Sequence, residues 1–153
     1  MTAAALDSLY RDQVLSHSRN PQGFGANPAA DVVIDGNNPL CGDKLTVYLS
    51  TENDRISALS FEGTGCAISV ASASMMVGML TGQSLENATR TIEQVRVMLA
   101  TSNDAPVASE LTQQPVAALS AVRQYPSRVK CAALAWQAAG SALAGNQQPV
   151  TTE

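Results

Sequence analysis

The chain has 153 residues, of which 45% are hydrophobic and 14% charged, a composition that predicts a packed globular domain rather than a disordered chain. Its formal net charge of −4, with only nine scattered Lys and Arg residues, argues against nucleic-acid binding. No run reaches the roughly 18 apolar residues of a membrane span, and the N-terminal residues lack a signal-peptide pattern. We therefore expect a cytoplasmic protein that binds neither nucleic acid nor a membrane.

The first half of the chain predicts one helix followed by three strands. Apolar residues recur at helical spacing over residues 3–17, which indicates an amphipathic helix. Strand patterns follow at 31–35, 45–50 and 56–62, separated by a Gly/Asn/Pro loop and a polar turn. These strands predict an antiparallel meander that must bury one face against helices.

The second half predicts helices. A run of small residues over 66–80 indicates a buried helix, and Ser84 is a suitable N-cap for the next one. After a polar segment, helical patterns return at 116–122 and from Ser127 onward. We expect an α+β fold, in which a three-stranded antiparallel sheet packs against about five helices. We also expect a single domain over residues 1–145 and a disordered tail over 146–153.

The three cysteines lie at junctions between the predicted elements. An odd number of cysteines without an export signal disfavours a disulfide framework, which leaves buried fillers, reactive nucleophiles or metal ligands. Cys41 lies in the Gly/Asn/Pro loop, Cys66 begins a helix directly after Gly-Thr-Gly, and Cys131 lies near the start of the last helix. The start of a helix favours thiolate over thiol, because its unpaired N–H groups stabilise negative charge.

The tripeptide Cys41-Gly42-Asp43 adds a carboxylate next to one of the thiols. Three thiolates and one carboxylate would complete a tetrahedral zinc site. The spacing alone does not separate this arrangement from chance, because the chain has no Cys-x-x-Cys pair. Arg128, three residues before Cys131, is either a solvated cation or a group that steadies a thiolate or persulfide.

Four longer segments of the chain carry a specific resemblance. They read LYRDQVLSHSRNP, NNPLCGDKLTVYL, FEGTGCAISVASASMM and YPSRVKCAALAW. Taken together, they resemble the SufU branch of the IscU-like iron–sulfur cluster assembly scaffold family, and the resemblance runs from about residue 9 to residue 136. It implies the IscU-like α+β fold and assigns metal-ligand roles to Cys41, Asp43, Cys66 and Cys131.

The same resemblance implies a function and partners. Placed in the SufU branch, the chain is similar to zinc-dependent sulfur acceptors. Such proteins take persulfide sulfur from a SufS-type cysteine desulfurase and pass it toward downstream Suf assembly proteins. Cys41 is implied as the sulfur acceptor, with Arg128 as a candidate support for its thiolate or persulfide. Such a protein acts as partner and co-substrate of the desulfurase rather than as a stand-alone enzyme.

Two features favour the SufU branch over the IscU branch, in which a histidine directly precedes the third cysteine. Here that position is Lys130, and the stretch between Cys66 and Cys131 is longer than in IscU-type proteins. Two alternatives stay open. A scaffold could assemble a [2Fe–2S] cluster, or bind Fe²⁺, on the same ligands, because thiolates bind iron and zinc alike. A structural zinc module that serves only as an interaction domain is the other.

Overall fold

A computed structural model describes residues 3–152 and contains helices and strands in the predicted order. The helical segments are α1 (Ala3–Arg19), α2 (Ala67–Leu80), α3 (Leu85–Ala100), a 3-10 helix (Pro115–Gln124) and α4 (Pro126–Leu143). The strands are β1 (Val32–Asn38), β2 (Asp43–Glu52), β3 (Arg55–Thr64) and β4 (Val150–Thr151). Among the described residues, none of the helices has the length and apolar character needed to cross a membrane.

The sheet has the strand order β3-β2-β1-β4. Strand β2 pairs antiparallel with both β1 and β3, as the alternating pattern predicts. One face carries buried side chains such as Ile34, Val47 and Phe61, which pack against the helices. The α+β class and the antiparallel meander are therefore confirmed.

The number of strands and the state of the C-terminal segment require a correction. Strand β4 pairs parallel with β1, and the Thr152 N–H donates to the carbonyl oxygen of Asn37 at 3.2 Å. Val150 packs against the core, and Thr152 is buried. The sheet thus has four strands rather than three, and residues 150–152, expected to be disordered, are attached to it. Two strand residues are too few to produce a detectable alternation in sequence.

A buried hydrogen-bond chain fixes α2 against α4. The indole N–H of Trp136 donates to Ser72 Oγ at 2.9 Å, and the Ser72 hydroxyl donates to the carbonyl oxygen of Ala132 at 2.6 Å. All three residues are fully buried, and the indole N–H, the Ser72 hydroxyl and the Ala132 carbonyl oxygen each have a partner, as burial requires. This contact holds the helix that follows Cys66 against the helix that carries Cys131.

The hairpin loop between β1 and β2 lies at one end of the sheet, next to the start of β2. Asn38 and Asp43 are paired across the two strands, which leaves residues 39–42 as the connecting loop. Gly42 adopts a φ of 71°, a left-handed conformation that glycine enters without steric cost. The loop therefore turns tightly between Cys41 and Asp43 and brings their side chains to the same end of the sheet.

Candidate metal centre

Three of the four predicted ligands converge at this end of the sheet. Cys41 lies in the β1–β2 loop, Asp43 is the first residue of β2, and Cys131 lies in the second turn of α4. One sulfur or carboxylate oxygen from each lies within 4.8 Å of the other two. In a tetrahedral zinc site with bonds of about 2.0–2.3 Å, neighbouring ligand atoms are about 3.6 Å apart. The spacing of these three ligand atoms is therefore close to that of a zinc site, and the atom types are ones that zinc binds.

The fourth predicted ligand, Cys66, adjoins this group through its backbone. It is the N-cap residue of α2, and its backbone N–H donates to Asp43 Oδ1 at 2.8 Å. Its thiol is not among the three groups that lie mutually within 4.8 Å. The Cys66 backbone is already hydrogen-bonded to Asp43, so a change in the side-chain orientation of Cys66 would bring its thiol to the other three groups. The ligand role of Cys66 stays a prediction.

The Asp43 carboxylate is fully buried and held by several donors. Oδ1 accepts from the Cys66 N–H and from the Ser69 hydroxyl at 3.3 Å, while Oδ2 accepts from the Asn38 amide at 3.0 Å. Burial alone would raise the pKa of Asp43, but hydrogen bonds from Cys66, Cys131 and Asn38 outweigh it and lower that pKa. Asp43 is therefore ionised and oriented without any help from a metal.

A glycine makes room for this carboxylate. A Cβ atom at Gly65 would lie 2.7 Å from Asp43 Oδ1 and 2.5 Å from Ser69 Oγ. Any other residue at position 65 would push the carboxylate away from the Cys66 N–H. The second glycine of the Gly-Thr-Gly segment thus allows the start of α2 to approach the first residue of β2 closely.

Cys131 is also fully buried, and its thiol has the opposite electrostatic character. Burial raises the pKa of Cys131, and hydrogen bonding with Asp43, Cys41 and Cys66 raises it further. The thiol is consequently protonated at neutral pH in the absence of a cation. A bound metal ion would supply the charge that removes this proton, as coordinated thiols are deprotonated.

Cys41 and Arg128 form the exposed side of the centre. Cys41 is only partly buried, and its neighbour Leu40 is 64% exposed. Arg128 Nη1 lies 3.9 Å from Cys41 Sγ. The pKa of Arg128 is raised, first by its hydrogen bond with Cys131 and then by its electrostatic interaction with the neighbouring cysteine side chains. Arg128 is thus a solvent-exposed cation directed at the cysteine cluster.

Asn38 is a residue of the centre that sequence reasoning missed. Its side chain is fully buried, and its amide group lies between Asp43 and Cys131. The predicted first strand ended at residue 35, whereas β1 continues to Asn38 with Ile34, Gly36 and Asn38 all on the buried face. Extending the period-2 pattern by three residues would have identified a buried polar side chain next to the CGD segment.

Fold and site together define a small α+β protein that can hold a metal ion through thiolate and carboxylate groups. The family described as the NifU-like N terminal domain matches residues 9–145, and the chain belongs to this family. The match confirms the SufU/IscU-like resemblance that the motifs indicate.

Named relatives and a solved structure agree with this assignment. The zinc-dependent sulfurtransferase SufU of Bacillus subtilis (strain 168) is 34% identical over 135 residues, which cover 88% of this chain and 89% of that protein. The iron–sulfur cluster assembly scaffold protein IscU of Streptococcus pyogenes serotype M1 is 33% identical over 155 residues, covering 100% and 95%. The crystal structure of FiSufU from Fervidobacterium islandicum AW-1 superposes with a TM-score of 0.80 at 29% identity, covering 89% of this chain and 97% of that one.

Proposed function

We propose that this protein is a zinc-dependent sulfur acceptor, which takes persulfide sulfur from a SufS-type cysteine desulfurase for iron–sulfur cluster assembly. The observation that carries the proposal is a contrast among the clustered side chains. Asp43 and Cys131 are fully buried on regular elements, whereas Cys41 is partly exposed on a hairpin loop. Cys66 is also partly exposed, but it is fixed as the N-cap residue of α2, so Cys41 is the partly exposed cysteine that a loop carries.

The donor set supports zinc as the resident metal. Cys41, Asp43 and Cys131 would hold it, with Cys66 as the predicted fourth ligand. Zinc would keep these thiols deprotonated near neutral pH without redox chemistry of its own. Asp43 is preset for this role because it is ionised and oriented by hydrogen bonds, and the family relative from Bacillus subtilis is itself named zinc-dependent.

The sulfur-transfer step is a thiol–persulfide exchange at Cys41. The Cys41 thiolate attacks the outer sulfur of the desulfurase persulfide, so a new S–S bond forms on Cys41 while the S–S bond of the desulfurase breaks. The electron pair of the broken bond leaves with the desulfurase cysteine as its thiolate, and Cys41 becomes a persulfide. Arg128 supports the negative charge on Cys41 before and after the exchange, since its guanidinium lies beside that sulfur. Downstream Suf assembly proteins are the expected recipients.

A second candidate function is a scaffold that assembles a [2Fe–2S] cluster on the same side chains. The relative from Streptococcus pyogenes, at nearly the same identity, is named as such a scaffold, and thiolates bind iron–sulfur clusters as well as zinc. A purely structural zinc module is less well supported, because such a module has no use for a partly exposed ligand cysteine on a loop.

Metal analysis and a visible absorption spectrum of protein purified without oxygen separate these candidates. Colourless protein with one zinc per chain supports the acceptor. Red-brown protein with iron and inorganic sulfide supports the scaffold and overturns the zinc assignment. Protein that neither retains nor rebinds a metal contradicts both.

A further inference from the structure

Asn38 lies at the end of β1 with a side chain that is completely inaccessible to solvent. Its amide nitrogen Nδ2 lies 3.0 Å from Asp43 Oδ2 and 3.4 Å from Cys131 Sγ. An Asn amide group has two hydrogens, so Nδ2 can donate one to each of these atoms. A single neutral side chain thus bridges two candidate ligands that come from β2 and α4.

The other end of the same amide is unsatisfied. Oδ1 of Asn38 is buried and has no hydrogen-bond partner among the described residues. Burying an unpaired carbonyl opposes folding, and an apolar side chain of the same shape would avoid that penalty. Exchanging the two ends of the amide is no remedy, because Oδ1 would then face the carboxylate of Asp43. The unpaired oxygen therefore offsets part of what the two donated hydrogen bonds of Asn38 contribute to folding.

The bridge acts on Oδ2 of Asp43. Oδ1 accepts from the Cys66 N–H and the Ser69 hydroxyl, whereas the hydrogen bond from Asn38 is to Oδ2. Cys131 also hydrogen-bonds with this carboxylate, so Asn38 donates to two side chains that are direct neighbours. Two ligand atoms that both carry negative charge when a metal is bound repel each other, and a shared donor reduces this repulsion and sets their separation.

We propose that Asn38 is a positioning residue of the metal centre, which raises zinc affinity by donating one hydrogen bond to each of the ligand atoms Asp43 Oδ2 and Cys131 Sγ. This inference rests on the metal binding in the proposed function. Groups that hydrogen-bond to metal ligands commonly change metal affinity by 10- to 100-fold when removed, because they fix ligand orientation and charge. We expect an effect of that size from Asn38.

The test compares Asn38→Leu with Asn37→Leu, in the full-length protein. Leu has nearly the shape of Asn without its donors, and Asn37 lies exposed on the opposite face of the same strand. Zinc affinity is measured by competition with a chromophoric chelator, and the melting temperature is measured on the zinc-free proteins. We expect Asn38→Leu to bind zinc about 10- to 100-fold more weakly, and its zinc-free form to melt lower than the wild type because Asp43 loses one of its buried donors. We expect Asn37→Leu to retain wild-type zinc affinity.

Cobalt(II) substitution adds a spectroscopic readout. A hydrogen bond to a thiolate lowers the energy of its electrons, so its loss in Asn38→Leu should shift the sulfur-to-cobalt charge-transfer band to longer wavelength. If Asn38→Leu does not fold, Asn38→Ala is compared with Asn37→Ala in the same way. A cavity at position 38 destabilises the zinc-free and the zinc-bound protein equally and leaves the zinc affinity unchanged. Loss of the hydrogen bonds from Asn38 lowers the zinc affinity.

The outcomes separate this inference from the proposed function. Wild-type zinc affinity and an unshifted cobalt spectrum in the folded Asn38 variant overturn the positioning role and leave zinc binding by the wild type intact. A wild-type protein that binds no zinc in the same assay overturns the metal site itself, and with it the role of Asn38.

Discussion

The backbone N–H of Cys66 donates to Oδ1 of Asp43 at 2.8 Å, so the start of α2 and the start of β2 meet on one buried carboxylate. Because the folded protein lowers the pKa of Asp43, folding favours the ionised carboxylate, and its loss must cost stability. We expect Asp43→Ala to destabilise the zinc-free protein by about 1–3 kcal/mol, because the buried groups that donate to this carboxylate lose their acceptor. We also expect this variant to bind zinc more weakly. Urea denaturation measures the first effect.

The control for Asp43→Ala is Asp12→Ala, which removes an exposed carboxylate from α1. We expect that variant to stay within about 0.5 kcal/mol of the wild type, as is usual at exposed positions. Equal stability of the two variants would show that the hydrogen bonds around Asp43 do not contribute to folding.

Zinc removal and the variant Cys66→Ser test the fourth ligand. Free zinc at about a thousand times its Kd stabilises the folded state by about 4 kcal/mol, which for a domain of this size raises the melting temperature by about 10 °C. Cys66→Ser keeps the backbone N–H that Asp43 accepts, so we expect the zinc-free variant to melt close to the wild type. With zinc added, we expect a clearly smaller rise in the variant. An undiminished rise would remove Cys66 from the ligand set.

The single histidine of the chain predicts a pH dependence of stability. Burial lowers the pKa of His17 from its ordinary value of 6.5, and the ring Nδ1 lies 2.7 Å from Ser74 Oγ on α2. The unfolded chain therefore takes up a proton at a higher pH than the folded protein. It follows that stability is lost as pH falls below 6.5 and regained above it.

Urea denaturation of the zinc-free, fully reduced protein at about pH 7.5 and about pH 5.5 measures this dependence, because histidine is the side chain that ordinarily titrates in that window. We expect lower stability at the lower pH in the wild type and a flatter profile in His17→Gln. An equally steep profile in that variant would assign the effect to other groups.

Sequence periodicity was sufficient for β2, β3 and α3, and the run of small residues was sufficient for α2, but neither located the ends of the sheet. Strand β1 extends three residues past its predicted end because Gly36, Asn37 and Asn38 pair with β2. Their low strand propensity is the reason why the sequence pattern did not predict this extension. That extension is what buries Asn38 beside the candidate ligands. The segment 116–122 predicted a short helix, and the structure has a 3-10 helix over Pro115–Gln124.

The site was more predictable than its hydrogen-bond partners. The resemblance of the four segments to the SufU/IscU-like family predicted that Cys41, Asp43 and Cys131 lie together, whereas their spacing alone did not separate such a site from chance. The donors from Asn38 and Ser69 depend on side-chain packing between elements distant in sequence, which a single sequence does not encode in a readable pattern. Strand β4 was missed for a similar reason, since its two residues pair only because the rest of the sheet is already formed.

Arg128 provides a test that separates sulfur uptake from metal binding. Its guanidinium is solvent-exposed and lies beside Cys41 rather than within the ligand group. We expect Arg128→Ala to slow persulfide formation on Cys41 several-fold while zinc content stays at the wild-type level. Lys130→Ala is the matched control, because it removes a neighbouring cation for which no contact with Cys41 is observed. Equal rates for both variants would make Arg128 an ordinary solvated cation.

The acceptor role of Cys41 is tested most directly by mass spectrometry of the zinc-loaded protein after reaction with a SufS-type desulfurase and cysteine. We expect a mass increase of about 32 Da, one sulfur atom, as persulfide exchange implies, on the peptide that contains Cys41. We expect Cys41→Ala to lose both this mass increase and any stimulation of the desulfurase. Sulfur found on Cys131 instead would overturn the assignment of Cys41, and the absence of transferred sulfur on any cysteine, with a competent desulfurase present, would contradict the sulfur-acceptor function itself.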